Sequence, residues 1–387
     1  MTATRELLRD LASREPSEEG TLSLYVRTDP RDPANTAHVP AWAVALRNGL
    51  REVSRRLEGG APRTERLAAR ALAERVEAEL LELDPAKRGR GVAWFLTPDG
   101  ALDRRIPLQL APRADVVRWD ERPFVSPLVD VADRGRAAGL VLVAGECVRL
   151  LHWEDGRVRE PERSLYELEL GDWREYAAYA MANPARAQQT ATHEASFEQR
   201  VEDWRGRFLR DAAEAVATRL TELGWRRLVV AAEGQVASRF IDALPEQARG
   251  LVVARVEANL LWEEPPAVAD RLEEQLESSG REELLARAKR AVEAARPDGF
   301  GLAGFGPVVE ALVQYRVGWL VLDPHHRFDG IGLSPAAAHA LSEAAPELLA
   351  ERAVELAVAG GAEVSALPLT DSEPLARAGG IAATLRY

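Results

Sequence analysis

Few side chains in this chain have the types and spacing to do chemistry. The densest polar run is Pro184 to Thr192 (PARAQQTAT), with His193 directly after it. The run is small, polar and without apolar period, so it reads as an exposed loop. Such a tip, carried on an anchored element, inserts a few side chains into another molecule's pocket. His193 is a candidate base, but no carboxylate partner that would orient it is predictable. Asp323, His325, His326 and Asp329 are metal-ligand types, yet adjacent histidines in a turn lack the spacing of known sites, and a solvated loop without metal is expected. The single cysteine, Cys147, lies inside the apolar run GLVLVAGECVRLL. It reads as a buried, inert thiol and excludes a disulfide within the chain. No G-x-G-x-x-G or Walker Gly-Lys-Ser/Thr follows a strand, and neither a Gly-x-Ser-x-Gly elbow nor a Ser/His/Asp arrangement is apparent. No cofactor is expected.

The element that must hold the polar tip follows it. Phe197, Val201, Trp204 and Phe208 recur at steps of four, three and four, which places them on one helical face. Ser196 with Gln199 three places later fits a capping box, so the loop is expected to end there in a defined helix N-terminus. An ordinary surface loop before an amphipathic helix has the same pattern. Trp204 and Phe208 fall on the apolar face and read as core.

Length bounds the rest: 387 residues exceed one compact core, so two or three domains are expected. No apolar run reaches membrane-spanning length and the N-terminus is charged from the start, which points to a cytoplasmic protein. A net charge of −12 argues against broad binding to nucleic acid, DNA included. Lys87 and Lys289 are the only lysines; every other cationic side chain is arginine. A general replacement of lysine and a localised arginine surface both account for this, and the sequence does not place such a surface.

Three units differ in element order. Residues 1–122 form an N-terminal α+β unit: a strand at 21–27, a Pro-rich loop, helices near 41–57 and 64–83, then strands at 91–96 and 106–110 about a Thr-Pro-Asp-Gly turn. Residues 123–265 form a middle α/β unit with a layered central sheet. It opens with GLVLVAGECVRLLHWEDGRV, in which at least one strand should be buried on both faces. After the protruding loop and long helix come a strand at 228–231, a helix at 235–244 and another strand in LVVARVEANL. Residues 266–387 form a C-terminal α/β unit, helical and charged at first. GFGPVVEALVQYRVGWLVLD and ELLAERAVELAVAGGAEVSALPL each give helix then strand, and GGIAATLRY closes with a strand.

The closing GGIAATLRY, the helix before it and AGGAEVSALP resemble the last strand of the archaeo-eukaryotic class-one release factor and Pelota family. Its third domain has the fold of a kink-turn-binding ribosomal protein. GFGPVVEALVQYRVGWLVLD resembles the same domain's helix-to-strand step, and the middle unit has its parts in the family's order. The resemblance covers roughly residues 122–387. The N-terminal unit has no counterpart of the stop-codon-reading motifs and is similar to the bacterial branch, which implies no codon-specific termination. Members that cleave peptidyl-tRNA carry Gly-Gly-Gln at the loop tip. Here the aligned run is Arg186-Ala187-Gln188-Gln189-Thr190: Gln189 matches the glutamine, and Ala187 and Gln188 stand where the glycines should be. A Cβ at positive φ costs roughly 1 kcal/mol or more, and a 1 Å displacement of a water-positioning group costs about a hundredfold in rate.

The resemblance therefore implies a tRNA-shaped protein that fills the A site of idle or stalled ribosomes, in hibernation or rescue, beside a translational GTPase such as elongation factor Tu. In that setting Arg186 to Thr190 and His193 enter the peptidyl-transferase centre. Arg200, Arg205 and Arg207 contact ribosomal RNA phosphate, or instead pair with Glu202 and Asp203 for about 0.3 kcal/mol each. Two alternatives stand: an active peptidyl-tRNA hydrolase using Gln189, and an RNA-binding module that acts away from the ribosome.

Overall fold

The structure is a computed structural model. It describes all residues except 1–2, 169–186, 297–298, 330–331, 342–343, 369, 371 and 387, with backbone alone at residues 3 and 86 and over residues 187–201. It is a mixed α/β protein with three sheets. By compactness the chain divides into residues 1–135 together with 280–387, and residues 136–279. The limits expected at 122/123 and 265/266 lie near prolines that have a local role. Pro127 and Pro265 lie in the first turns of helices Ser126–Arg134 and Pro265–Glu293, where proline begins a helix rather than ending a unit.

In the first unit, helix α1 (Ala3–Ala12) precedes strand β1 (Thr21–Val26). Helices α2 (Ala41–Glu58) and α3 (Arg63–Glu82) follow, then the short α4 (Pro85–Arg88). Strands β2 (Gly91–Leu96), β3 (Asp103–Leu108) and β4 (Val116–Asp120) complete an antiparallel sheet of order β3-β2-β1-β4. Leu22, Leu24 and Val26 alternate onto one face, where Trp42, Leu46 and Leu50 of α2 and Leu72, Val76 and Leu80 of α3 cover them. The hairpin register pairs Leu96 with Asp103. β3 begins three residues before the expected Ile106 because its start, Asp-Arg-Arg, is an exposed edge without apolar alternation. α1, β4 and α5 (Ser126–Arg134) lie beyond what the sequence pattern marks.

The second unit holds β5 (Ala138–Ala144), β6 (Cys147–Glu154), β7 (Arg157–Arg159) and β8 (Leu165–Glu167). Then come helix α6 (Ala187–Glu222), β9 (Leu228–Ala231), α7 (Val236–Ala243), α8 (Glu246–Arg249) and β10 (Val252–Val256). The sheet order is β10-β9-β5-β6-β7, with β8 also on β6. β5 is central, parallel to β9 and antiparallel to β6, and is buried nearly throughout, as the apolar run requires. Arg227, 1% exposed, donates to the carbonyls of Leu276 (2.6 Å) and Arg136 (3.2 Å) and stacks over Trp153. It fastens the first half of α9 (Pro265–Glu293) to this sheet.

The remainder of the first unit comprises the second half of α9, β11 (Gly301–Ala303), α10 (Phe305–Val313), β12 (Val317–Leu322), α11 (Pro335–Ala340), α12 (Leu349–Ala359), β13 (Glu363–Ala366), α13 (Glu373–Arg377) and β14 (Ile381–Leu385). The sheet order is β11-β14-β12-β13, so the closing strand lies inside a sheet. α12 packs against α1, and α5 against β13. No helix among the described residues is long and apolar enough to cross a membrane.

Candidate functional site

The helix that carries the polar tip starts earlier than its sequence suggests. α6 begins at Ala187, so the expected loop over 184–192 is helical from 187 onward, and Ser196 and Gln199 lie within the helix rather than at its cap. The reason is local: after Pro184 nothing stops a helix, and Ala, Gln, Gln and Ala are good or neutral helix formers. Ala187, Gln188, Gln189 and Thr190 occupy its first turn, with His193 and Arg200 further along. Their backbone is helical and their side chains lie outside the described residues, as does Arg186 altogether.

The body of α6 is held by its apolar face. Phe208, Leu209, Ala212, Ala213, Val216 and Leu220 pack on Val141, Val143, Val148, Leu150 and Val230 of the sheet. At roughly 1.5–3 kcal/mol for each large side chain buried, this seam outweighs any surface pair on the helix. Phe208 is core as expected, whereas Trp204 is only half-buried. Phe197 and Val201, the other two members of the face, have side chains outside the described residues.

The arginines divide differently from either reading. Arg205 makes a 2.8 Å ion pair with Glu146 in the β5–β6 turn, not with a neighbour on its own helix. Glu202 is engaged by Arg239 of α7. Both Arg205 and Glu146 are about 40% exposed, so the pair orients the helix more than it stabilises it, contributing below about 1 kcal/mol. Arg207 is exposed and makes no ion pair among the described residues. Of the two whose side chains are described, it is the one left open to a phosphate.

Two buried polar knots escaped the sequence reading. At the foot of α6 the Trp225 indole N–H donates to His152 Nδ1 at 2.9 Å, while His152 Nε2 lies 3.5 Å from Glu154. Burial, then nearby Arg159, holds the His152 pKa below its ordinary value. The neutral ring therefore keeps its proton on Nε2 and accepts on Nδ1. In the other unit, Glu351 on α12 accepts the backbone N–H groups of Val125 and Ser126 and the Ser126 hydroxyl at the start of α5. Next to it Arg352 pairs with Glu355 (2.7 Å), Glu121 (3.1 Å) and Asp120 (3.2 Å). Glu351, Arg352 and Glu355 are all at most 5% exposed. The string ELLAERAVELAVA reads as amphipathic, with charges facing water. Only the tertiary partners reveal that this helix is buried on every side.

The remaining candidates are structural. Cys147 is buried and its thiol is pushed up to about 11, by desolvation first and then by Glu167. It is protonated and unreactive at neutral pH. Asp323 accepts the His325 backbone N–H at 2.8 Å, and the His326 ring packs edge-on to Phe328 at 4.7 Å. No three of His, Cys, Asp or Glu among the described residues are grouped to hold a metal ion.

Residues 123–277 match the model of bacterial archaeo-eukaryotic release factor family 10. That segment is the middle of the chain, with α6 at its centre, and it is the part in which the protein resembles this bacterial family. No curated protein matches the chain. Among solved structures, archaeal Pelota, in a model of the ribosome-bound protein with ABCE1, is 13% identical at a TM-score of 0.42, over 100% of this chain and 94% of that one. Dom34 of S. cerevisiae, a translation termination-like factor of RNA quality control that interacts with Hbs1, is 11% identical at 0.38, over 79% and 81%. The archaeal translation termination factor aRF1 is 18% identical at 0.27, over 100% and 99%.

Proposed function

We propose that this protein is a ribosome-binding translation factor that occupies the A site of idle or stalled ribosomes without hydrolysing peptidyl-tRNA and without reading a stop codon. The observation that carries this reading is the release-factor match over 123–277, taken with Ala187-Gln188-Gln189 at the start of α6. A Gly-Gly pair serves a backbone that needs positive φ or a close approach. A helical first turn needs neither: its negative φ admits Ala and Gln without strain, and up to four of its backbone N–H groups have no partner within the helix. Such a tip fills a polar pocket but does not supply the backbone freedom with which a glutamine is brought to an ester. In this reading Arg207 reaches ribosomal RNA phosphate, a translational GTPase such as elongation factor Tu delivers or accompanies the factor, and the site of action is the cytoplasm.

Sedimentation tests the binding claim. The purified chain should travel with vacant ribosomes and be displaced by deacylated tRNA in the A site. A protein that stays at the top of the gradient under all conditions refutes it. Single-turnover peptide release tests the chemistry: no release is expected from the wild type, and Gln189→Ala should change nothing. Release by the wild type that drops sharply in Gln189→Ala would establish the hydrolase instead.

A further inference from the structure

Trp262, at 71%, is the most exposed large apolar side chain among the described residues. It occupies the third position of a β-turn, Leu260–Glu263, closed by the Glu263 N–H on Leu260 O at 3.1 Å. Leu260 and Leu261 are buried, so the turn is anchored from beneath and the indole is what it offers to water. Arg149 of β6 fixes that presentation. Its Nη1 donates to Leu261 O at 2.9 Å and to Glu263 O at 2.8 Å, the carbonyls on either side of Trp262. Its Nε and Nη2 hold Glu160. With its side chain only 12% exposed, Arg149 spends its donors on the turn and on one carboxylate.

The strand register puts a second apolar side chain on the same side of the sheet. Val148 and Leu150 face α6, so Arg149 between them points to the other face. Leu165 of β8 is its directly opposed partner and shares that face. Leu165 is 43% exposed. Glu167, two residues along β8, lies on the same face and is exposed. Leu165 therefore flanks the stem of Arg149, and Trp262 rides on the turn that its head group holds. The two segments that carry these side chains, 160–167 and 257–264, contain six glutamates (160, 162, 167, 257, 263 and 264) and one arginine, Arg163. Arg149 offsets Glu160 and Arg271 offsets Glu263. Glu167 and Glu264 are exposed and make no ion pair among the described residues.

We infer that Trp262 and Leu165, rimmed by Glu167 and Glu264, form a docking surface for a basic, lysine- and arginine-rich segment of a partner protein. An exposed indole face attracts a cationic head group. Long cationic side chains also carry aliphatic stems that cover an apolar side chain such as Leu165 while their charge meets a carboxylate. RNA is repelled by the same glutamates. A second copy of this chain, using the same surface, would set one acidic rim against another. The surface lies within residues 136–279, and it does not depend on the α6 tip entering a ribosome.

Fluorescence anisotropy of the full chain with a labelled octa-arginine peptide, and with a labelled octa-glutamate peptide and oligo(U) for comparison, tests the assignment. The arginine peptide should bind and the other two should not. Trp262→Ala leaves the net charge intact, so it separates this surface from the diffuse attraction of an acidic protein, and it should weaken binding about tenfold. Trp262→Phe should lose less. Glu167→Lys and Glu264→Lys should each weaken binding severalfold and flatten its salt dependence, whereas Glu233→Lys, an exposed charge elsewhere in the same unit, should do neither. Phe300→Ala removes a 65% exposed ring in the other unit and should have no effect. Four outcomes would each overturn the inference: no binding of the arginine peptide, binding indifferent to Trp262→Ala, binding of oligo(U) that Trp262→Ala abolishes, or a dimer in sedimentation that Trp262→Ala dissolves. All the substituted side chains are exposed, so each variant reads binding rather than folding. None of these outcomes bears on sedimentation with ribosomes through the α6 tip.

Discussion

Glu351 shows what one buried carboxyl contributes when its partners are backbone N–H groups rather than cations. Desolvation, then the neighbouring Glu355, raises its pKa to about 7, while the bonds from Ser126 and Val125 pull the other way without prevailing. The folded state thus holds a proton that the unfolded chain releases near the ordinary glutamate value. The stabilising contribution is complete below that value and is lost as pH rises to about 7, a change on the order of 3 kcal/mol. Glu351→Gln keeps an acceptor for the N–H groups, its amide N–H can donate to the Ser126 oxygen in place of accepting from that hydroxyl, and it has no proton to lose. Its melting temperature between pH 5 and pH 8 should fall less than that of the wild type, and it should be the more stable protein at pH 8. Parallel curves for the two would show that Glu351 is ionised in the fold. At this scale the sequence is legible where one residue's surroundings are its own neighbours: Cys147, inside an apolar run, is buried and inert. It is not legible where partners come from afar, as with Glu351 and residues 125–126.

Elements divide along the same line. β1, β2, α2, α3, β5, β9, β12 and β14 are readable because their periodicity records a single buried face or two buried faces. β4 is a half-exposed strand of mixed residues and carries no such signal. α6 starts before the Ser196/Gln199 capping box because such a box permits a helix to start there without requiring it, and the preceding Ala-Gln-Gln run extends the helix. What the helix leans on at its other end is testable. A Cβ on Gly139 of β5 would stand 2.5 Å from the Trp225 ring and 2.7 Å from Leu228. The ring cannot retreat without losing its bond to His152. Gly139→Ala should therefore cost about 1–3 kcal/mol through overpacking. Trp225→Phe should cost a similar amount by leaving His152 Nδ1 buried without its donor. Urea unfolding checks both; a midpoint unchanged in Gly139→Ala would mean that the strand and ring move apart freely. Because the knot lies in residues 136–279, ribosome binding through the α6 tip should weaken with it only as far as the helix loosens.

For the whole molecule, charge decides how any RNA partner can be met. A body of net −12 is repelled by polyphosphate at long range, so association must rest on a few local guanidinium contacts at close range, where screening matters less than geometry. Arg205 is committed to Glu146, whereas Arg207, near the middle of α6, is exposed and makes no ion pair among the described residues. Each phosphate neutralised gives log K a slope of about −0.7 to −0.9 against log salt. Ribosome affinity should therefore weaken only modestly between about 50 and 200 mM salt, with a slope of a few contacts rather than the steep loss of a basic protein. Arg207→Ala should reduce that slope by about one contact and weaken binding severalfold, while Arg205→Ala should act through helix position and leave the slope unchanged. Affinity titrations at four salt concentrations separate these cases. A slope that is steep, and indifferent to Arg207, would place the main phosphate contacts on another face of the molecule and remove α6 from the interface.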